Sequence, residues 1–191
     1  MNQAQGIAMG FKDNKIAHVH SKGQRIKENN NEKRLDLAQF MSHQYLCQSL
    51  KASEIKTLLK YLTLRQFNDG DILADIGEVG EALYLVVQGE ISLVVDEKKK
   101  EYEIVREGAG EMLGIMSFFD RKPRSVRLVA RAPDTQVLRL SRAMYKRMVV
   151  EHPYIALNLV EHALINLDSL FRKVSNDFAQ FAHHLYGKGR K

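Results

Sequence analysis

The 191-residue sequence contains a single cysteine, Cys47. One thiol closes no intramolecular disulfide, so the chain is expected in a reducing, cytoplasmic setting, and nothing beside Cys47 suggests an activated thiol. The first twenty residues lack an apolar leader core, and no run approaches the roughly 18 apolar residues of a membrane span, so no membrane association is expected. No G-x-S-x-G turn, Walker-type loop, H-E-x-x-H pair or glycine-rich dinucleotide turn occurs, which argues against an enzyme. His18-x-His20 and His183-His184 have no further ligands at suitable spacing, so no metal and no cofactor are expected. The seven methionines are scattered, as core filling rather than a soft-metal site. An aromatic-rich basic stripe is also missing. The formal net charge of +6 therefore reads as solvated basic ends; the other reading is a surface steering toward nucleic acid or acidic membrane.

What is present changes character along the chain. Residues 1 to about 35 are polar and basic, with seven Lys or Arg from Lys12 to Arg34, and Asn29-Asn30-Asn31 adds a signature of partial disorder. Ser53 is placed to cap a helix through Ile55, Leu58, Leu59 and Leu62. Seven of the twelve glycines then fall between Gly70 and Gly114. Short apolar segments follow, each ended by turn residues: Leu62–Phe67, Ile72–Ile76, Ala82–Val87, Glu90–Val95, Tyr102–Val105, Val126–Ala130 and Gln136–Leu140. Such spacing predicts a compact β sandwich or roll. Lys98-Lys99-Lys100 is expected at a solvated hairpin tip.

Helical patterning returns after Ser141, a second candidate N-cap, and Pro153 suits the first turn of a further helix. There Val160, Leu164, Leu167, Phe171, Val174, Phe178, Phe181 and Leu185 alternate steps of four and three, a 3.5-residue repeat. A lone helix projecting from a roll cannot bury that stripe, so a parallel homodimer seam is expected. The second stripe, Ala156, Leu159, Ala163 and Leu170, is better placed to face the chain's own core.

Three segments carry a family resemblance. Asn68-Asp69-Gly70-Asp71-Ile72-Leu73, Gly77 and Leu83 to Ile91 form a G-D-x-L … L-Y-x-V-x-x-G-x-[IV] pattern. Gly110-Glu111-Met112-Leu113-Gly114-Ile115-Met116-Ser117-Phe118-Phe119 is similar to a phosphate-binding cassette, closed by Arg124-Ser125-Val126-Arg127-Leu128-Val129-Ala130. Over roughly residues 46 to 185 the chain resembles the cyclic-nucleotide-binding domain of catabolite-activator-type regulators and protein-kinase-A regulatory subunits. The resemblance implies an α+β fold: a double-stranded β-helix-like β-roll (jelly-roll) flanked by short helices, with a long C-terminal dimerisation helix. The expected divisions are 1–45, a basic arm and lead-in; 46–150, the roll; 151–186, the helix; and 187–191, a basic tail.

The resemblance also implies a site for cAMP, cGMP or a related phosphate compound, formed by Gly114, Ile115, Met116, Ser117, Arg124, Ser125 and Val126. A short helix opening after glycine offers free N–H groups to an anion, and an arginine adds a charge-assisted fork. Two positions depart from the pattern. Ile115 stands where nucleotide-binding members carry the glutamate that takes the ribose 2′-hydroxyl, and losing a hydrogen bond of roughly 1.5–3 kcal/mol weakens binding about 10- to 150-fold. Arg127 stands where a threonine or serine is frequent. The family's base-reading hydroxyl pair on the long helix falls on Leu170 and Phe171, which could form an apolar lid over a base. Three functions stay open: a ligand-sensing regulatory module with an unidentified protein partner, a degenerate roll kept as a dimerisation scaffold, and a DNA-binding regulator. The last is disfavoured because only about six residues follow Leu185, too few for a recognition helix, and no specific nucleic-acid partner is expected.

Overall fold

A computed structural model describes residues 36–97 and 100–186. The arm before residue 36, Lys98 and Lys99 of the expected hairpin tip, the Leu185 side chain and the tail 187–191 lie outside the described residues. The roll and its helices make up the unit from Met41 onwards; the unit before it contributes only helical residues 36–40 to the described part.

After a 3-10 turn, Tyr45–Cys47, come α1 (Ala52–Leu58), β1 (Thr63–Phe67), β2 (Ile72–Ala74), β3 (Ala82–Gln88), β4 (Ile91–Glu97) and β5 (Lys100–Glu107). They are followed by β6 (Met112–Leu113), α2 (Ile115–Asp120), β7 (Arg127–Ala130), β8 (Thr135–Ser141), α3 (Arg142–Glu151) and α4 (Pro153–Tyr186). Two four-stranded antiparallel sheets face each other, ordered β1-β8-β3-β6 and β2-β7-β4-β5. This is the expected β-roll with flanking helices and a long C-terminal helix. All seven expected strands are present within a few residues of their expected ends. The two-residue β6 was missed because it is too short to show a period.

The buried run of β3 shows how the layers stack. Ala82, Tyr84 and Val86 point between the sheets, where Ile91, Leu93, Leu128 and Val137 meet them. Leu83 and Leu85 alternate onto the other face, beside Leu138, Leu140, Leu46 and Leu159. With both faces covered, the strand has no polar side and reads as one apolar stretch. Each fully buried leucine contributes about 1.5–3 kcal/mol, so a charge at Leu83 would break the seam between sheet and helices.

The helix starts follow from local chemistry. Ser141 caps α3 as expected, its hydroxyl accepting from Met144 N–H at 3.3 Å. Ser53 does not cap α1: Lys51 is the N-cap, and Glu54 reaches back to accept its N–H at 2.7 Å. A carboxylate in the first turn therefore satisfies the N-cap residue's own amide, one half of a capping box. Between α3 and α4, Pro153 excludes His152 from helical geometry. His152 sits at φ −141°, ψ 66°, and α4 sets off afresh with Ala156 N–H donating to His152 C=O at 3.1 Å.

Along α4 the two stripes separate as expected. Ile155, Ala156, Leu159 and Ala163 are buried, and Leu170 packs against the inter-sheet core. From Phe171 to Phe181 every residue is exposed. Among the described residues no helix is long and apolar enough to cross a membrane.

Candidate functional site

The loop from Gly110 to Arg124 folds around one cationic side chain. Gly114, at the left-handed φ of 83°, turns the chain out of β6 and opens α2, leaving the amides of Ile115, Met116 and Ser117 without intrahelical acceptors. A Cβ on Gly114 would stand 3.3 Å from both terminal nitrogens of Arg124, and one on Gly80 would meet the Phe118 nitrogen at 2.8 Å. The two glycines thus let two backbone segments close in beside one guanidinium.

Arg124 is 8% exposed, yet its guanidinium has no hydrogen-bond acceptor or carboxylate partner among the described residues. Burial pulls its pKa below the usual arginine value, with Tyr84 and Glu78 opposing weakly. A buried cation with open donors is costly unless something anionic meets it.

That cation borders a cavity of about 350 Å³. All seven cassette residues expected from the sequence line it: Gly114, Ile115, Met116, Ser117, Arg124, Ser125 and Val126. Leu170 lines it as well, but Phe171 does not and is 70% exposed. One residue along a helix turns the side chain by about 100°, so the apolar cover comes from Leu170 and Leu167, not Phe171. Arg127 also turns away. It pairs with Asp75 at 2.7 Å and with Glu101, and that guanidinium holds the Asp75 carboxyl below the usual carboxylate range.

Ser117 is occupied elsewhere. Its hydroxyl accepts from Gly80 N–H at 2.7 Å and donates to Lys122 C=O at 2.6 Å, fixing the cassette and leaving only the backbone amide for a ligand. Phe118, fully buried, packs edge-on to Tyr145 at 5.5 Å beneath the Arg142 guanidinium at 4.6 Å. Arg142 also donates to Gly80 C=O. The cassette helix is therefore braced directly on α3.

Polar residues missed by sequence reasoning complete the wall. Asn166 donates to Glu111 at 2.5 Å, and its buried Oδ1 has no partner among the described residues. Glu107 is 5% exposed and takes two bonds from Lys173, at 2.8 and 3.0 Å, which raise the lysine pKa. Asn166 falls with Ala163, Leu167 and Leu170 at helical spacing, and that inward phase was the available signal. Glu107 and Glu111 gave none, since their importance comes from the partners α4 brings to them. No group of three or more His, Cys, Asp or Glu is placed to hold a metal among the described residues; His18 and His20 lie outside them.

Of the expected seam, Leu164, Phe171, Val174, Phe178 and Phe181 are exposed by 62, 70, 40, 70 and 61%. Val160 and Leu167 are half-buried, and with Leu164 they line an apolar groove reaching Met116 and Phe119 of α2.

Comparison with known proteins gives a consistent picture. Residues 64–152 match the family model of the cyclic nucleotide-binding domain. The cyclic AMP receptor protein of Thermus thermophilus is 33% identical over 115 residues, 60% of this chain and 53% of that protein. The match thus spans about half the length of that relative. The crystal structure of the Thermus thermophilus catabolite activator protein aligns with a TM-score of 0.58 at 30% identity, covering 72% of this chain and 64% of that one. A cyclic nucleotide-binding domain from Methylobacillus flagellatus KT shares the fold, with a TM-score of 0.69 at 24% identity over 78% of this chain and 84% of that one. On motif, fold and match alike, residues 64–152 of this chain are similar to the cyclic nucleotide-binding domain family.

Proposed function

We propose that the chain is a ligand-sensing regulatory module that binds a cyclic nucleotide, cAMP or cGMP, or a closely related phosphate compound, and acts as a homodimer with a non-catalytic role. One observation carries the reading: the Arg124 side chain is buried without a partner among the described residues, on the wall of a 350 Å³ cavity. A ligand phosphate would satisfy its fork and the amides at the start of α2 together. The remaining wall supplies burial through Leu167, Leu170 and Val126.

The same geometry suggests how occupancy would be read out. α4 contributes Asn166, Leu167 and Leu170 to the cavity, while α2 leans on α3 through Phe118 and Tyr145. A ligand touching both sides stabilises one arrangement of α2, α3 and α4 about the break at His152. It shifts the protein only as far as its affinities for the two arrangements differ. The exposed seam from Leu164 to Phe181 would carry that change to a second copy and on to a protein partner.

Ile115 on the cavity wall favours a second reading, a roll that binds no nucleotide and serves as a dimerisation scaffold. Calorimetric titration with cAMP, cGMP and cyclic dinucleotides separates the two. Saturable binding supports the sensor; no heat and no thermal shift at millimolar ligand would leave the scaffold. Light scattering on wild type and a Phe171→Asp/Phe178→Asp variant tests the dimer, which predicts a twofold larger mass for wild type alone.

A further inference from the structure

The cavity beside Arg124 has a second polar end. Glu111 lines its wall and is separated from Gly114 by β6, three residues of extended chain or roughly 10 Å. Apart from burial, Tyr84 and Glu78 act on the Arg124 charge, whereas Glu111 joins Glu107 in acting on Lys173 of α4. The Glu111 carboxylate is only half used. Oε2 accepts from Asn166 Nδ2 at 2.5 Å, and Oε1 has no hydrogen bond or ion pair among the described residues. Glu111 is half-buried and Oε1 keeps accessible surface, unlike the Asn166 Oδ1, which is enclosed.

The other polar side chains of the interior are spent. Lys173 holds both oxygens of Glu107, and the Ser117 hydroxyl is bonded to Gly80 and Lys122. Asp120, Lys122 and Ser125 are exposed and belong to the rim. The cavity thus presents an open cation at one end and an open carboxylate oxygen at the other, with Leu113, Ile115, Val126 and Leu170 in the rest of its wall. A ligand that matches it has opposite polarity, an anionic group at one end and a hydrogen-bond donor at the other.

We propose that Glu111 is a specificity-determining contact, its open Oε1 accepting an N–H from the base of the nucleotide whose phosphate meets Arg124. The proposal rests on the nucleotide reading above and adds which part of the ligand is selected. In a 3′,5′-cyclic nucleotide the 2′-hydroxyl sits on the carbon beside the phosphate ester, so it stays near Arg124. The base is the part that reaches across. An ionised carboxylate accepts hydrogen bonds and donates none, so it favours an amino group and opposes a carbonyl. Asn166 holds the carboxylate in place, which fixes the direction of the open oxygen before a ligand arrives.

Calorimetric titration of the full chain tests this with cAMP, cGMP and purine riboside 3′,5′-cyclic monophosphate. The third probe keeps the phosphate and sugar but has no base N–H. The tighter of cAMP and cGMP should bind about 10- to 150-fold better than it, the effect of one hydrogen bond to a charged group. Glu111→Leu should bind all three probes alike. Should that variant not fold, Glu111→Gln, with a neutral oxygen in the same place, should lower the preference below about tenfold. Saturable but equal binding of the three probes by wild type overturns the proposal and leaves the nucleotide reading standing. A preference that survives unchanged in folded Glu111→Leu or Glu111→Gln does the same. No binding of any probe overturns both.

Discussion

Replacing Arg124 by methionine separates a ligand-binding cation from a structural one. Without a ligand, Arg124 is 8% exposed, its guanidinium is partly desolvated, and no side-chain acceptor among the described residues pairs with it. Methionine keeps most of the apolar stem and removes the charge, so the unliganded protein loses no hydrogen bond. It does lose some packing beside Gly80 and Gly114. A buried polar group without a partner costs about 1–3 kcal/mol, so the net effect on stability is expected between no change and a gain of about 2 kcal/mol. Binding should move the opposite way. Two charge-assisted bonds to one phosphate, at about 1.5–3 kcal/mol each, sum to about 3–6 kcal/mol, a loss of roughly 10²- to 10⁴-fold in affinity. Arg124→Lys should fall between, because it keeps a point charge without the fork. Urea denaturation of the unliganded proteins and calorimetric titration with cAMP and cGMP measure the two halves. The reasoning fails if Arg124→Met destabilises the unliganded protein by more than about 2 kcal/mol while affinity stays put.

Further predictions follow from the polar contacts of α4 and from the one thiol. Lys173→Met strands the buried Glu107 carboxylate and should lower stability by about 1–3 kcal/mol. Adding Glu107→Gln should recover part of that loss, and strictly additive effects would show that the pair is uncoupled. His162 stays neutral in the folded chain, its pKa held below the ordinary 6.5 by burial, in a pocket whose other titratable groups are Tyr45 and Glu161. The unfolded chain takes up that proton first. Stability contributed by neutral His162 is therefore complete above pH 6.5 and falls as the pH drops toward the folded pKa, by up to about 1.4 kcal/mol per pH unit. Urea midpoints between pH 7.5 and 5.5 should show this slope in wild type and a flatter one in His162→Phe; parallel curves would refute it. Burial pushes the Cys47 thiol up to about 11, so about one molecule in a thousand carries thiolate at pH 8. Iodoacetamide should alkylate it at least about a hundredfold faster in urea than in the native protein, and equal rates would contradict the burial.

The roll was legible because its determinants are local. Turn glycines, apolar strands and the stop at Pro153 depend on neighbours in the chain, and the cassette motif keeps all seven expected cavity residues within Gly114 to Val126. The 3.5-residue repeat likewise separated the inner stripe of α4 from the outer one before any contact was known. Periodicity gives a residue's direction around a helix, but not which neighbour that direction faces, and adjacent residues point about 100° apart. Leu170 and Phe171 were therefore paired as a lid, although only Leu170 still lies over the cavity. Glu111 with Asn166, Glu107 with Lys173, and Ser49 with Asn158 are separated by 55, 66 and 109 residues. Whether each polar group finds a partner in such pairs is set by the packing of α4 on the roll. The sequence by itself determined the β-roll, the long helix and an arginine beside a helix start. Only the tertiary structure decided that this arginine is buried with no side-chain partner among the described residues, and that a second pocket lies against another face of α4.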